Sequence, residues 1–127
     1  MTAQTVVITG SSQGLGKGLA KAFVRRGHNV IVSSQDPAAD SAVAMELAAL
    51  GPGRVISQSC DVADVRQVQQ LWDVAVREFG AVDLWVNNAG YARGSLPLAD
   101  MPPAVMETML RANVLGTING CQVALAG

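Results

Sequence analysis

TVVITGSSQGLGKG, residues 5–18, is the most informative stretch of the chain. It begins with a β-branched apolar run from Val6 to Ile8, which predicts a buried strand. Glycines follow at positions 10, 14 and 16, and apolar residues then recur at helical spacing through Leu19 and Phe23. The stretch therefore predicts a strand, a glycine-rich turn and a helix in immediate succession.

This succession has the geometry that a phosphate group requires. The first backbone N–H groups of a helix lack partners and carry the positive end of the helix dipole. A side chain on the turn would keep a pyrophosphate away from those groups, so glycine suits Gly10, Gly14 and Gly16. A tight turn that only allows close helix–strand packing is the alternative interpretation, because a lone glycine motif is a weak signal.

Composition limits the kind of protein. The chain has 127 residues, 50% hydrophobic and 15% charged, so residues 1–127 can form one domain with a substantial core. A net charge of −1 favours neither nucleic acid nor an anionic membrane, and no apolar run is long enough to span a bilayer. Residues 1–4 leave no room for a signal peptide before the first strand. Cys60 and Cys121 match no metal or redox spacing, so we expect no metal site, reduced thiols and a cytoplasmic location.

Four strand signals alternate with four helix signals along the chain. The predicted strands span 5–9, 29–34, 54–58 and 83–87, and the predicted helices span 14–26, 38–50, 65–79 and 102–127. Right-handed crossovers between such elements give a three-layer α/β fold of the Rossmann type. We expect a parallel sheet in strand order 3-2-1-4, with a ligand crevice where strands one and four diverge.

Several residues outside the turn have structural interpretations. Asp64 is predicted to cap the third helix in a capping box with Gln67. His28, the only histidine, has no second ligand or nucleophile beside it and is predicted to be a structural surface residue. Gly116 and Gly120 weaken the last helix and so indicate close packing at those points.

Four separated motifs agree with one another in type and spacing. They are TGSSQGLG at 9–16, CDV at 60–62, NNAG at 87–90 and NVLG at 113–116. Together they resemble the N-terminal half of the short-chain dehydrogenase/reductase family, and the resemblance covers essentially the whole chain. The glycine turn, the segment 83–90 and the loop to Pro97 and Leu98 are also similar to the chlorophyll b reductase branch, whose bacterial relatives could act on other substrates.

The resemblance implies a role for each motif. The turn would hold the pyrophosphate of the cofactor, with Leu15 beside the nicotinamide half. Asp61 would contact adenine, although a turn or capping role is the alternative. Asn113 would support the catalytic lysine through water, although it could instead satisfy a kink near Gly116. The implied cofactor-binding residues are Gly10, Ser12, Gln13, Gly14, Leu15, Gly16, Ser34, Gln35, Asp61, Val62, Asn88, Ala89 and Gly90.

One part of the family pattern is missing from the chain. The family's catalytic serine, and its tyrosine and lysine four residues apart, follow strands five and six, whereas the last predicted strand here ends at residue 87. The single tyrosine, Tyr91, has Ser95 four positions later. We therefore expect a chain truncated before strands five to seven and inactive alone. The full-length protein would be an NAD(P)-dependent oxidoreductase, acting on a carbonyl or alcohol substrate by hydride transfer and forming a homo-oligomer.

Two other functions stay open. A non-catalytic dinucleotide-binding module or regulatory fragment would carry the same motifs. Another nucleotide-binding Rossmann protein, such as a methyltransferase, would share the glycine turn, but the NNAG motif at 87–90 argues against it.

The choice between cofactors depends on the residues that end strand two. An acidic side chain there binds the ribose diol and repels a 2′-phosphate. In register with the family, Ser34 holds that position and Gln35 the position often held by arginine; neither repels a phosphate, and serine can donate to one. Asp36, about 20 residues past the last glycine, and the uncharged Gln13 argue the other way. The sequence favours NADP(H), with NAD(H) as the alternative.

Overall fold

The computed structural model describes residues 2–92 and 94–127, so Arg93, between the last predicted strand and the last predicted helix, lies outside the described residues. Strands β1 to β4 span Thr5–Thr9, Asn29–Ser33, Val55–Ser57 and Leu84–Val86. Helices α1 to α5 span Gly14–Arg25, Pro37–Ala48, Val65–Phe79, Pro103–Leu110 and Gly116–Ala126. A 3-10 turn at Leu98–Asp100 precedes α4, and a π turn at Arg111–Leu115 joins α4 to α5.

The four strands form one parallel sheet in the order β3-β2-β1-β4, which confirms the predicted architecture. Alternate residues of a strand face opposite sides of the sheet. Val6 and Ile8 therefore pack with α1 and α2, whereas Val7 and Ile31 pack with α3 and α5. Because both faces are covered, β1 and β2 are continuous apolar runs rather than alternating ones.

Side-chain hydrogen bonds cap the starts of α2 and α3, and one of the two starts differs from the prediction. α2 begins at Pro37, one residue early, because the Asp36 carboxylate accepts from the backbone N–H groups of Ala38 and Ala39. Asp64 caps α3 by accepting from the Arg66 N–H. The capping box itself was wrong, because the Gln67 side chain accepts from the Asp61 N–H while the Asp64 N–H donates to the Asp61 carbonyl.

The segment from α4 to α5 is one helical run interrupted by the π turn, rather than the uninterrupted helix expected. The close packing predicted at Gly116 is confirmed, since a Cβ there would lie 2.5 Å from the Val62 Cγ2 atom. A Cβ at Gly120 would collide with the Asn87 side chain. The two glycines thus let α5 approach both the loop after β3 and the end of β4.

The prediction that His28 is a surface residue was wrong. Its side chain is buried, with the Nδ1 atom accepting from the Gln4 N–H at 3.1 Å. The ring also packs edge-on against Phe23, with centroids 5.9 Å apart. His28 keeps a structural role, because it anchors the segment before β1 to the loop before β2.

Candidate functional site

A crevice of about 360 Å³ opens at the carboxyl ends of β1, β2 and β4. Parallel α/β folds bind their ligands at this edge of the sheet, next to the point where the strand order reverses. In the order β3-β2-β1-β4 that point lies between β1 and β4. The residues that line it are Gly10, Ser12, Gln13, Gly14, Ser34, Gln35, Cys60, Val62, Asn88, Ala89, Gly90, Tyr91 and Ala112.

Three glycines shape the turn between β1 and α1, each for its own reason. Gly10 has φ +66°, and a Cβ on it would lie 2.7 Å from the Ala89 Cα atom, so it permits the β1 turn to approach β4. Gly14 has φ +59°, and a Cβ on it would meet no atom within 4 Å, so its missing side chain leaves open space beside the start of α1. Gly16 is buried, and a Cβ on it would lie 2.5 Å from the Gly10 carbonyl oxygen.

The start of α1 suits an anion. Gln13 is the N-cap residue, and its side chain makes no capping hydrogen bond to the helix. The first turn of α1 carries no acidic residue. Its leading N–H groups therefore retain their partial positive charge beside the open space at Gly14. A pyrophosphate fits these features, because a phosphate oxygen can take the place of the missing cap.

A buried serine that the sequence reasoning missed holds the turn in place. The Ser11 hydroxyl donates to the Ile8 carbonyl at 2.7 Å and accepts from the Ser33 N–H at 2.9 Å. The Ser11 N–H donates in turn to the Ser33 carbonyl at 2.9 Å. Ser11 thus ties the β1 turn to the end of β2. In the sequence, its position inside the glycine motif was the only signal.

Asn88 ties the turn to the other neighbouring strand. Its side-chain amide donates to the carbonyls of Thr9 and Gly10, each at 3.0 Å. The backbone N–H groups of Asn88 and Ala89 donate to the Thr9 hydroxyl at 3.1 and 3.0 Å. The NNAG motif therefore braces the central strands.

Asn88→Asp should lower the free energy of unfolding by about 2–4 kcal/mol, because a carboxylate cannot donate and would face two carbonyl oxygens. Denaturant unfolding of the two proteins measures the difference. Asn29→Asp is the matched control, since the Asn29 side chain accepts from the Arg54 N–H and a carboxylate can do the same. Equal unfolding free energies for Asn88→Asp and the control would contradict this role.

The loop after β3 forms another wall of the crevice. The Cys60 N–H donates to the Ser34 carbonyl at 2.8 Å, and the Asn119 side-chain amide donates to the Val62 carbonyl at 2.9 Å. Burial raises the pKa of the Cys60 thiol to about 12, with the negative charges of Asp61 and Asp64 adding to the effect. The thiol therefore stays protonated near neutral pH and serves as apolar wall rather than as a nucleophile.

Asp61 makes the turn contact of its alternative interpretation, and its contact with adenine stays a prediction. Its carboxylate accepts from the Ala63 N–H at 3.0 Å, and it is not among the residues that line the crevice. Leu15 and Gly16 also lie outside the lining; Leu15 is 74% exposed. The structure brings together ten of the thirteen sequence-predicted cofactor-binding residues, and it adds Cys60, Tyr91 and Ala112.

Asn113 lies in the π turn, one residue beyond Ala112. Its side chain accepts from the Tyr91 N–H at 2.7 Å and donates to the Tyr91 carbonyl at 2.9 Å. A π turn adds a residue to the helical turn and often marks a functional site. Here the π turn carries Asn113, whose two hydrogen bonds join the helix to the segment after the NNAG motif. These bonds hold Tyr91 at the rim of the crevice.

Ser34 and Gln35, the residues chosen for cofactor discrimination, both line the crevice. The Ser34 hydroxyl donates to the carboxylate of Asp40 and accepts from the Asp36 N–H. Asp36 caps α2 with its own carboxylate. Asp40 was absent from the sequence-predicted site, because a polar residue in the first turn of a helix ordinarily faces solvent.

Neither a metal site nor a membrane span is found among residues 2–92 and 94–127. No three His, Cys, Asp or Glu side chains lie together in a way that could hold a metal ion. No helix in those residues has the length and apolarity needed to cross a bilayer.

The chain is similar in sequence to several curated reductases and dehydrogenases. The chain is 32% identical over 131 residues to the probable chlorophyll(ide) b reductase NYC1 of Arabidopsis thaliana, matching 91% of this chain and 26% of that protein. It is 30% identical over 125 residues to glucose 1-dehydrogenase 2 of Bacillus subtilis, matching 98% of this chain and 48% of that protein. The chain thus spans half or less of the length of these two relatives.

Solved structures agree with the fold. An alcohol dehydrogenase from the archaeon Thermococcus sibiricus, complexed with 5-hydroxy-NADP, superimposes with a TM-score of 0.91 at 26% identity, over 98% of this chain and 53% of that one. A short-chain dehydrogenase/reductase from Burkholderia phymatum in complex with NAD gives 0.90 at 31% identity, over 98% of this chain and 43% of that one. The short chain dehydrogenase family model matches residues 4–127, and the chain therefore belongs to the short-chain dehydrogenase family.

Proposed function

We propose that residues 1–127 are the cofactor-binding part of an oxidoreductase that exchanges hydride between a nicotinamide dinucleotide and a carbonyl or alcohol substrate. The observation that carries this proposal is the convergence of the glycine turn, the end of β2 and the NNAG motif on one crevice. The alternative is a dinucleotide-binding module without catalysis, which would use the same residues.

Different residues of the crevice would contact different parts of the dinucleotide. The start of α1 and Gly14 would receive the pyrophosphate, as the uncapped N-terminus and open space favour. Ser34 and Gln35 would face the adenosine ribose, and the wall at Cys60 and Val62 would face adenine. When bound, the nicotinamide ring supplies the hydride donor or acceptor. This division is supported by the lining of the crevice and by the dinucleotides named for the two structural neighbours.

The acid/base group that such a reaction needs is proposed to lie outside residues 1–127. Tyr91 is the only tyrosine, and Ser95 rather than lysine follows it by four residues. In hydride transfer of this kind a tyrosine acts as acid/base together with a lysine four residues later, and residues 1–127 contain no such pair. Asn113 would then act as a positioning residue, since its contacts with Tyr91 fix the rim against which the remainder of the site would be built.

Three finer features of the protein are part of the proposal. The substrate would be a small molecule, as the name of the similar glucose 1-dehydrogenase 2 of Bacillus subtilis suggests. A homo-oligomer is supported by exposed apolar side chains on the last helical run, such as Leu110 and Ile118. A cytoplasmic location is supported by two free cysteines, one buried and one exposed.

NADP(H) is the cofactor form that we propose the crevice prefers. No acidic side chain is among its lining residues, and Gln35 offers an amide donor for a 2′-phosphate. Isothermal titration of NADPH and NADH onto the protein expressed from its complete reading frame should therefore give the lower Kd for NADPH. Tighter binding of NADH would overturn the preference, and binding of neither would overturn the proposed function.

The same titration separates the roles of the acidic residues near β2. Asp36→Asn removes a negative charge but keeps the N-cap, because asparagine is an equally good cap. If Asp36 weakens phosphate binding, this variant gains affinity for NADPH alone. A hydride-transfer assay on the complete protein, with simple ketones and alcohols, then distinguishes an oxidoreductase from a binding module.

A further inference from the structure

Asp40 is the only aspartate or glutamate that is fully buried among residues 2–92 and 94–127, and it lies behind the crevice rather than in it. It stands in the first turn of α2, where the helix dipole favours a negative charge. No lysine, arginine or histidine of those residues forms an ion pair with it. Burying a carboxylate costs free energy unless the group is hydrogen-bonded. The hydrogen-bond partners of Asp40 therefore indicate its role.

Both side-chain contacts of Asp40 go to one residue of the crevice wall. The Ser34 N–H donates to the Oδ2 atom of Asp40 at 2.9 Å, and the Ser34 hydroxyl donates to the Oδ1 atom at 2.5 Å. Ser34 follows β2 directly and lines the crevice beside Gln35. Asp40 therefore fixes the backbone and the hydroxyl of the residue that would face the adenosine ribose.

The hydrogen bonds of the Ser34 hydroxyl leave it only one role toward a ligand. A hydroxyl has one proton and two lone pairs. The proton goes to Asp40, and one lone pair accepts from the Asp36 N–H at 3.1 Å. The lone pair that remains can accept a hydrogen bond but cannot offer one.

We propose that Asp40 is a positioning residue that acts through Ser34 to set how strongly the crevice discriminates between a ribose 2′-hydroxyl and a 2′-phosphate. This inference rests on the proposed function. A 2′-hydroxyl can donate to the free lone pair of Ser34, whereas a 2′-phosphate offers mainly acceptors and finds no proton at Ser34. Asp40 thus limits the preference for NADP(H) that the absence of an acid in the lining would otherwise allow.

Asp40→Asn reverses the hydrogen bond at Ser34 with little change of shape. The asparagine oxygen can still accept from the Ser34 N–H, while its NH₂ group donates to the Ser34 oxygen and releases the hydroxyl proton toward the crevice. Titration of NADPH and NADH onto the complete protein should show the ratio Kd(NADPH)/Kd(NADH) falling by about fivefold to tenfold. A purely structural loss would weaken both ligands alike and leave the ratio unchanged.

Ser34→Ala tests the route independently and keeps the proposal testable if Asp40→Asn fails to fold. It removes the acceptor for the 2′-hydroxyl, so NADH binding should weaken while NADPH binding holds. In the Ser34→Ala background, Asp40→Asn should leave the ratio unchanged. Asp73→Asn, the same change of charge on an exposed residue of α3, is the matched control and should leave both Kd values unchanged.

Each outcome has a definite meaning. An unchanged ratio in Asp40→Asn, or a larger loss of NADPH than of NADH binding in Ser34→Ala, overturns the role of Asp40. An equal shift of the ratio with and without Ser34 overturns the route through the hydroxyl. Failure of the wild-type protein to bind either dinucleotide overturns the proposed function itself and this inference with it.

Discussion

Gly14→Val should abolish dinucleotide binding by the complete protein while leaving most of the fold intact. Gly14 has φ +59°, and a Cβ there would enter open space beside the first turn of α1. A branched side chain would fill the volume proposed for the pyrophosphate and would resist the left-handed backbone conformation. We expect at least a hundredfold loss of affinity for NADPH and NADH, measured by titration calorimetry.

Gly18→Ala is the matched control for this substitution. Gly18 lies in α1, is exposed, and would also gain a Cβ in open space, but its φ is not positive. Alanine there should raise the free energy of unfolding by about 0.5–1 kcal/mol and leave the Kd unchanged. Normal binding by Gly14→Val would contradict the assignment of the turn. Circular dichroism of both variants separates loss of binding from loss of fold.

Residues 1–127, expressed without any further sequence, should self-associate, bind cofactor weakly and show no dehydrogenase activity. Within the described residues β4 pairs only with β1, and Leu84 at its start is 40% exposed. Apolar side chains on the last helical run are also exposed to solvent: Leu110 is 61% exposed and Leu125 is 88% exposed. An open strand edge and a broad apolar surface both favour association.

Light scattering and an NAD(P)H absorbance assay on this polypeptide measure the outcome. Leu110→Lys combined with Ile118→Lys should reduce association, because both replaced side chains belong to the exposed apolar surface of the last helical run. Met45→Lys is the control; Met45 is 75% exposed but lies on α2. Its charge should leave association unchanged. A monomeric and active polypeptide would contradict the proposal that the acid/base group lies outside residues 1–127.

Local sequence was sufficient for the architecture and for most of the crevice. The β-branched runs at Val6–Ile8 and Val30–Val32 are strands, and the three motif glycines stand at the strand–helix turn, because both signals depend on neighbours in the chain. The strand order followed from connection rules that apply to any chain of alternating strands and helices. Helix boundaries were less accurate, since capping contacts such as that of Asp36 set them.

Only the tertiary structure decided which polar groups meet one another. His28 is buried because the segment before β1 folds over it, and Ser11 joins two strands by bonding to Ser33, which is 22 residues away in the sequence. Asp40 is close to Ser34 in sequence, but its burial depends on how α2 docks on the sheet. Such contacts are set by the orientation of packed elements, which hydrophobic periodicity does not specify. Most residues that line the crevice could therefore be predicted from the sequence, whereas buried residues such as Ser11 and Asp40, which hold the crevice walls in position, could not.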